Sequence, residues 1–162
     1  MDVIELLTKQ HREMEQLFDR YDTTSSDEEK LRLFARVADE LTVHITTEEQ
    51  IFYPAVKARR TEDILLESLE EHLSLKRLLA DLIILDPSEQ TFEPKFKVLK
   101  EQAEHHHEEE EEHLFPKVKR ILDVAQLESL GTEIAASQSE LKARATPREM
   151  VITQTGAAAP LE

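Results

Sequence analysis

The sequence predicts an all-α fold: an antiparallel up-down four-helix bundle with a pseudo-twofold repeat, then a fifth, C-terminal helix and a disordered tail. Three observations carry this expectation. Only 2 of the 162 residues are glycine and 5% are aromatic; Leu, Glu, Lys and Ala dominate, as in helices joined by short connections. Apolar residues recur at steps of three and four along most of the chain, the period of a helix with one buried face. Finally, the stretch from His44 through Glu48-Glu49 to Phe52-Tyr53-Pro54 returns as His106, Glu110-Glu111 and Leu114-Phe115-Pro116.

The first helix runs from Asp2 to Tyr21, with Ile4, Leu7, His11, Met14, Phe18 and Tyr21 on one stripe. Asp22 to Ser25 turn the chain. Ser26, with Glu29 three residues on, reads as a capping box for the second helix. That helix carries Leu33, Val37, Leu41, His44, Glu48, Ile51 and Phe52 along one side, bends or starts its last turn at Pro54, and ends near Arg59-Arg60. Thr61 caps the third helix, whose stripe is Leu65, Leu69, His72, Leu75, Leu79 and Ile83 before the stop at Asp86-Pro87. Pro94 suits the first turn of the fourth helix, which presents Phe96, Leu99, Ala103, His106, Glu110 and Leu114. Asp123 caps the fifth, with Leu127, Leu130, Ile134 and Leu141 inward and Gly131 as a slight weakness. Residues 1–145 form the bundle. Residues 146–162 lose periodicity, read as a flexible tail, and end on a Leu161-Glu162 pair that resembles a cloning scar.

Composition narrows function. A net charge of -15 argues against a nucleic-acid partner, whose phosphates would be repelled. The chain has no cysteine, so disulfides, zinc-thiolate sites and iron-sulfur clusters are excluded, and a reducing cytoplasm is the expected location. No apolar run approaches the roughly 20 residues that cross a bilayer.

The repeat points to chemistry. His11 to His44 is 33 residues and His72 to His106 is 34. Each predicted hairpin therefore has a lone histidine on one helix and His-x-x-x-Glu on the other. Residues four apart lie on one helical face, roughly 6 Å apart along the axis. Facing helices of a bundle build metal sites from such inward side chains. Burying two ionised carboxylates without compensation costs several kcal/mol each, roughly; a shared cation removes that cost. The nitrogen and oxygen donors, without sulfur, suit iron or manganese, while zinc and copper also fit. His11, His44, Glu48, His72, His106 and Glu110 are too many for one tetrahedral zinc and fit two metals bridged by the carboxylates. His105 and His107, turned about 100° to either side of His106, are expected to be solvated. His113 reads as a boundary core residue or, alternatively, as a ligand paired with Glu110. Glu108, Glu109 and Glu112 read as surface charge.

These residues resemble the haemerythrin-like, or HHE, cation-binding domain family, over residues 3 to 120. The resemblance implies a non-haem di-iron centre with carboxylate and oxo or hydroxo bridges, held by His11, His44, Glu48, His72, His106 and Glu110. Two departures stand out. Lys76 occupies the place where oxygen-carrying haemerythrins have a second histidine on the third helix, which argues against reversible oxygen carriage. Those carriers also place the last carboxylate five residues after its histidine, which would select Glu111; the internal repeat selects Glu110. The expected function is binding or sensing of a small molecule such as oxygen, nitric oxide or peroxide at two iron ions, or handling of iron itself. A di-iron oxidoreductase is the alternative, and a metal-free helical interaction module is the third reading.

Overall fold

The computed structural model describes residues 1–162 and contains helices and no strands. In chain order these are α1 (Val3–Thr23), α2 (Asp27–Thr47), α3 (Tyr53–Ala55), α4 (Glu62–Ile84), α5 (Phe92–Glu109), α6 (Phe115–Ile121) and α7 (Val124–Lys142). One π-helical turn, Glu48–Phe52, joins α2 to α3, and a second, Glu110–Leu114, joins α5 to α6. No helix is long and apolar enough to cross a membrane.

The helix starts follow local chemistry. Asp2 accepts from the Glu5 backbone while Glu5 accepts from the Asp2 backbone, a complete capping box, and Asp123 with Gln126 repeats it on α7. At α2 only half of the expected box forms: Ser26 accepts from the Glu29 N–H. Thr61 does not cap α4 with its side chain; its hydroxyl turns back to the preceding loop, donating to the Val56 and Ala58 carbonyls. The second predicted helix also ends sooner than Arg59-Arg60, since Val56 already leaves helical geometry.

Both π turns sit just before a proline. A proline ring clashes with the carbonyl four residues back and offers no N–H. Widening the preceding turn lets the Tyr53 N–H reach the Glu48 carbonyl and the Phe115 N–H reach the Glu110 carbonyl, each five residues back. The repeated Glu and the repeated Pro thus mark the two ends of the same local distortion.

The apolar residues divide into two clusters. One contains Phe18, Phe34, Leu41, Leu79, Phe96 and Leu99. The other contains Leu7, Phe52, Tyr53, Leu65, Leu114 and Phe115. Along α1, α2, α4 and α5 the chain passes from one cluster to the other through a polar residue: His11 in α1, Glu48 after α2, His72 in α4, and His106 with Glu110 at the end of α5. A buried polar layer therefore separates two apolar halves.

Residues 146–162, expected to be flexible, are instead placed against the bundle. Pro147–Thr153 form a 3-10 turn with Val151 buried in the first cluster, Arg148 bonds Asp39, and Ala158, Ala159 and Leu161 pack on the second. The tail's scattered apolar residues have no period of their own because they fill gaps between helices. Helix α7 lies against α1 and α2. Gly131 has a packing reason: a Cβ there would meet the Met1 carbonyl and fall 2.9 and 3.0 Å from backbone atoms of Asp2 and Val3.

Candidate metal centre

All six residues singled out by the repeat are buried, and the polar layer brings them together. Glu48 lies between two histidines from different helices, α2 and α4, with Oε2 3.4 Å from His44 Nε2 and Oε1 3.2 Å from His72 Nε2. Glu110 Oε1 lies 3.5 Å from both His11 Nε2 and His106 Nε2. The histidines meet in pairs, His11 Nε2 3.2 Å from His44 Nε2 and His72 Nε2 3.0 Å from His106 Nε2.

The outer ring nitrogens fix what the inner ones offer. His11 Nδ1 donates to Glu111 at 2.9 Å, His72 Nδ1 to Glu49 at 2.9 Å, His106 Nδ1 to Glu71 at 2.8 Å and His44 Nδ1 to the Gln10 amide oxygen at 2.8 Å. A carboxylate or amide oxygen can only accept, so each Nδ1 carries a proton and each neutral imidazole turns its Nε2 lone pair inward. Two lone pairs about 3 Å apart repel unless a positive charge lies between them. Both Glu48 oxygens and Glu110 Oε1 are likewise buried without a hydrogen-bond donor. Stranded carboxylate oxygens cost several kcal/mol each, roughly. Two overlapping groups of these side chains could hold a cation: His11, His44, Glu48 and Glu110 in one, and Glu48, His72 and His106 in the other.

The same demand for positive charge governs the protons. Burial alone would lower the His11 and His72 pKa values, but the carboxylates of Glu110 and Glu111, and of Glu48 and Glu49, outweigh it and raise both to about 9. Glu110 responds in kind: burial pushes it up, yet His106 and His11 hold it well below the usual carboxylate range. Protons on the imidazoles stand in, imperfectly, for a metal.

The second glutamate of each repeat has its own task. Glu49 joins His72 to buried Lys76, whose Nζ donates at 2.7 Å, and Glu111 joins His11 to Arg12. Glu111 therefore orients a ligand candidate while Glu110 faces inward, as the repeat required. The aromatic residues before the prolines also match: Tyr53 stacks over His72 at 5.4 Å and Phe115 over His11 at 5.9 Å. Only Tyr53 brings a hydroxyl, which donates to Glu110 Oε2 at 2.7 Å and lies 3.2 Å from His72 Nε2. Burial first, then the Glu110 and Glu48 charges, raise the Tyr53 pKa well above that of a free phenol, so it stays protonated.

Expectations about two neighbouring histidines are overturned. His107 is buried, not solvated. Helix α5 has neighbours on two sides, so successive residues turned about 100° apart both find cover: His106 meets His72 of α4, and His107 stacks on His11 of α1 with centroids 3.9 Å apart. Burial, then His11 and His44, lower its pKa well below the ordinary imidazole value. His105 is exposed as expected. His113 is neither core nor ligand, its side chain 57% exposed beside Glu109 and Glu112. Gln10, Gln138, Glu71 and Tyr53 went unsuspected, but the doubled Glu and the Tyr/Phe mismatch between repeats were visible signals.

Fold and site together define a helical-bundle protein with a buried His/Glu cluster that could hold metal. A family model described as Hemerythrin HHE cation binding domain matches residues 2–118. The chain belongs to that family. It is similar to a solved hemerythrin HHE cation binding domain-containing protein from Mycobacterium kansasii, at 25% identity and TM-score 0.77, covering 94% of this chain and 98% of that one. It is also 26% identical over 144 residues to a DNA nickase of Nostoc sp., covering 89% of this chain and 41% of that protein. The chain thus spans about two fifths of that relative's length.

Proposed function

We propose that His11, His44, Glu48, His72, His106 and Glu110 hold two iron ions, with manganese or zinc as substitutes, and that the protein binds or senses a small molecule such as oxygen, nitric oxide or peroxide there. One observation carries this reading. Each oxygen of Glu48 faces a histidine from a different helix, at 3.4 and 3.2 Å, and neither has a hydrogen-bond donor. A carboxylate so placed is suited to span two cations. Iron would supply the redox and ligand-binding chemistry. The chain's own residues orient the four imidazoles through Gln10, Glu49, Glu71 and Glu111, and the Phe52, Tyr53 and Phe115 rings exclude water on one side. The test is gas uptake by the iron-loaded, reduced protein. Reversible or stoichiometric uptake of oxygen or nitric oxide supports binding or sensing; no uptake by fully loaded protein would overturn it.

A second reading, a di-iron oxidoreductase, is favoured by Tyr53. Its hydroxyl is a protonated donor within 2.7 Å of Glu110 and 3.2 Å of His72, where turnover of peroxide needs a proton source. Continuous peroxide consumption that drops at least about tenfold in Tyr53→Phe, with metal content unchanged, would favour this reading. The nickase activity named for the Nostoc relative is not extended to this chain, whose charge of -15 repels phosphates.

A further inference from the structure

We infer that an acidic cavity between the first half of α4 and the π turn after α5 is the entrance through which a divalent cation reaches the buried centre. The inference rests on the metal-binding reading above and deepens it. The cavity has a volume of about 270 Å³, and Glu67, Glu71, Glu109 and Glu110 line it against one lysine, Lys117. Lys117 is turned aside, its Nζ donating to the Arg60 carbonyl at 3.3 Å.

Acidity alone marks nothing on a chain of net charge -15. The floor of the cavity does. Glu110 belongs to the cavity and to the centre: it is 1% exposed, and its Oε1 has no hydrogen-bond donor and lies 3.5 Å from His11 Nε2 and His106 Nε2. Glu71 makes a second link, since it lines the cavity, is part-exposed, and accepts from His106 Nδ1 at 2.8 Å. Carboxylates thus lead from solvent, at Glu67 and Glu109, to a stranded oxygen in the polar layer. A cleft lined by one sign of charge raises the association rate of an oppositely charged ligand by about 10- to 1,000-fold. An uncharged gas gains nothing from such a lining. Two other cavities lack this combination. One touches His44, but it holds only about 30 Å³ and sets Arg36 and Lys142 against Glu13 and Glu40. The other, about 300 Å³ beside Asp27, Asp86 and Glu93, touches none of the six centre residues, and Glu93 already accepts from Tyr21 and Lys30.

The experiment follows uptake of cobalt(II) by the metal-free chain at low ionic strength, in stopped flow, through the visible absorption of the bound ion. The parent is compared with Glu67→Lys/Glu109→Lys, with Glu13→Lys/Glu40→Lys at the narrow cavity, and with Glu128→Lys/Glu133→Lys, an exposed pair on α7. Each variant changes the net charge equally. Uptake is expected to slow at least about tenfold in Glu67→Lys/Glu109→Lys alone, and the difference from the parent should shrink as salt is raised. Final metal content, and helical content by circular dichroism, should match the parent. Parent-like uptake in Glu67→Lys/Glu109→Lys, or equal slowing in Glu128→Lys/Glu133→Lys, would overturn the entrance and leave the six-ligand reading standing. Slowing confined to Glu13→Lys/Glu40→Lys would overturn it too and move entry to the His44 side. A lower final metal content in Glu67→Lys/Glu109→Lys would make that pair part of the binding site and not its approach, again overturning the inference. Failure of the parent chain to take up metal would overturn both.

Discussion

Lys76 Nζ donates to Glu49 at 2.7 Å, and the other oxygen of that carboxylate accepts from His72 Nδ1 at 2.9 Å. A lysine that cannot ligate a cation thus acts on the centre through a relay. Arg12, Glu111 and His11 form a matching relay. They differ in burial: the Lys76 side chain is 3% exposed and that of Arg12 is 48%. Lys76→Met leaves Glu49 short of a buried partner and is expected to cost about 3–5 kcal/mol, with metal affinity reduced about 10- to 100-fold. Arg12→Met should cost less than about 1 kcal/mol. Denaturant melts and chelator competition on the two variants check this; equal effects would contradict it.

Gly131 offers a test of packing against propensity. In an exposed helix, Gly→Ala stabilises by about 1 kcal/mol. Here the added methyl meets the backbone of Met1, Asp2 and Val3. Gly131→Ala is expected to destabilise by about 1–3 kcal/mol, read as a lower denaturation midpoint.

Helix α7 reaches the centre through one side chain. Gln138 exchanges hydrogen bonds with Gln10, which holds His44 Nδ1, and also donates to Thr47. Gln138→Leu should cost about 1–3 kcal/mol by stranding these groups and speed metal loss about tenfold. Release kinetics of the loaded variant decide it; unchanged release would confine α7 to a structural role.

The pH dependence should reverse on metal loading. In the metal-free chain His11 and His72 have pKa values of about 9 against 6.5 for the free side chain. Their protonated, carboxylate-paired forms stabilise the fold fully below pH 6.5, and that contribution is lost as pH rises through about 9. Each pKa unit is worth about 1.4 kcal/mol, so thermal melts of the metal-free chain should fall by several kcal/mol, roughly, across this window. Metal needs the bare Nε2, so affinity measured by chelator competition should rise over the same range.

Helix positions and the six inward side chains were legible because each is a periodic or repeated property of the sequence. His11 and His72 stand on stripes of leucine and isoleucine, and Glu48 and Glu110 keep their offset from a histidine and a proline. His107 escaped because a single-stripe reading assigns one inward direction to α5, whereas α1 and α4 cover two of its faces. The outer partners of the imidazoles escaped for a different reason. Glu71 and Gln138 approach from other helices, and nothing in their own neighbourhoods marks them. The tail escaped because Val151 packs as an isolated residue, without the periodicity that signals a helix.

Anomalous scattering at the iron edge, from crystals of the iron-loaded chain, tests the central claim most directly. Two peaks are expected in the polar layer, both within coordinating distance of Glu48, one beside His11 and His44 and the other beside His72 and His106. No peak among these six side chains, with the Glu48 and Glu110 oxygens bonded only to water, would contradict it.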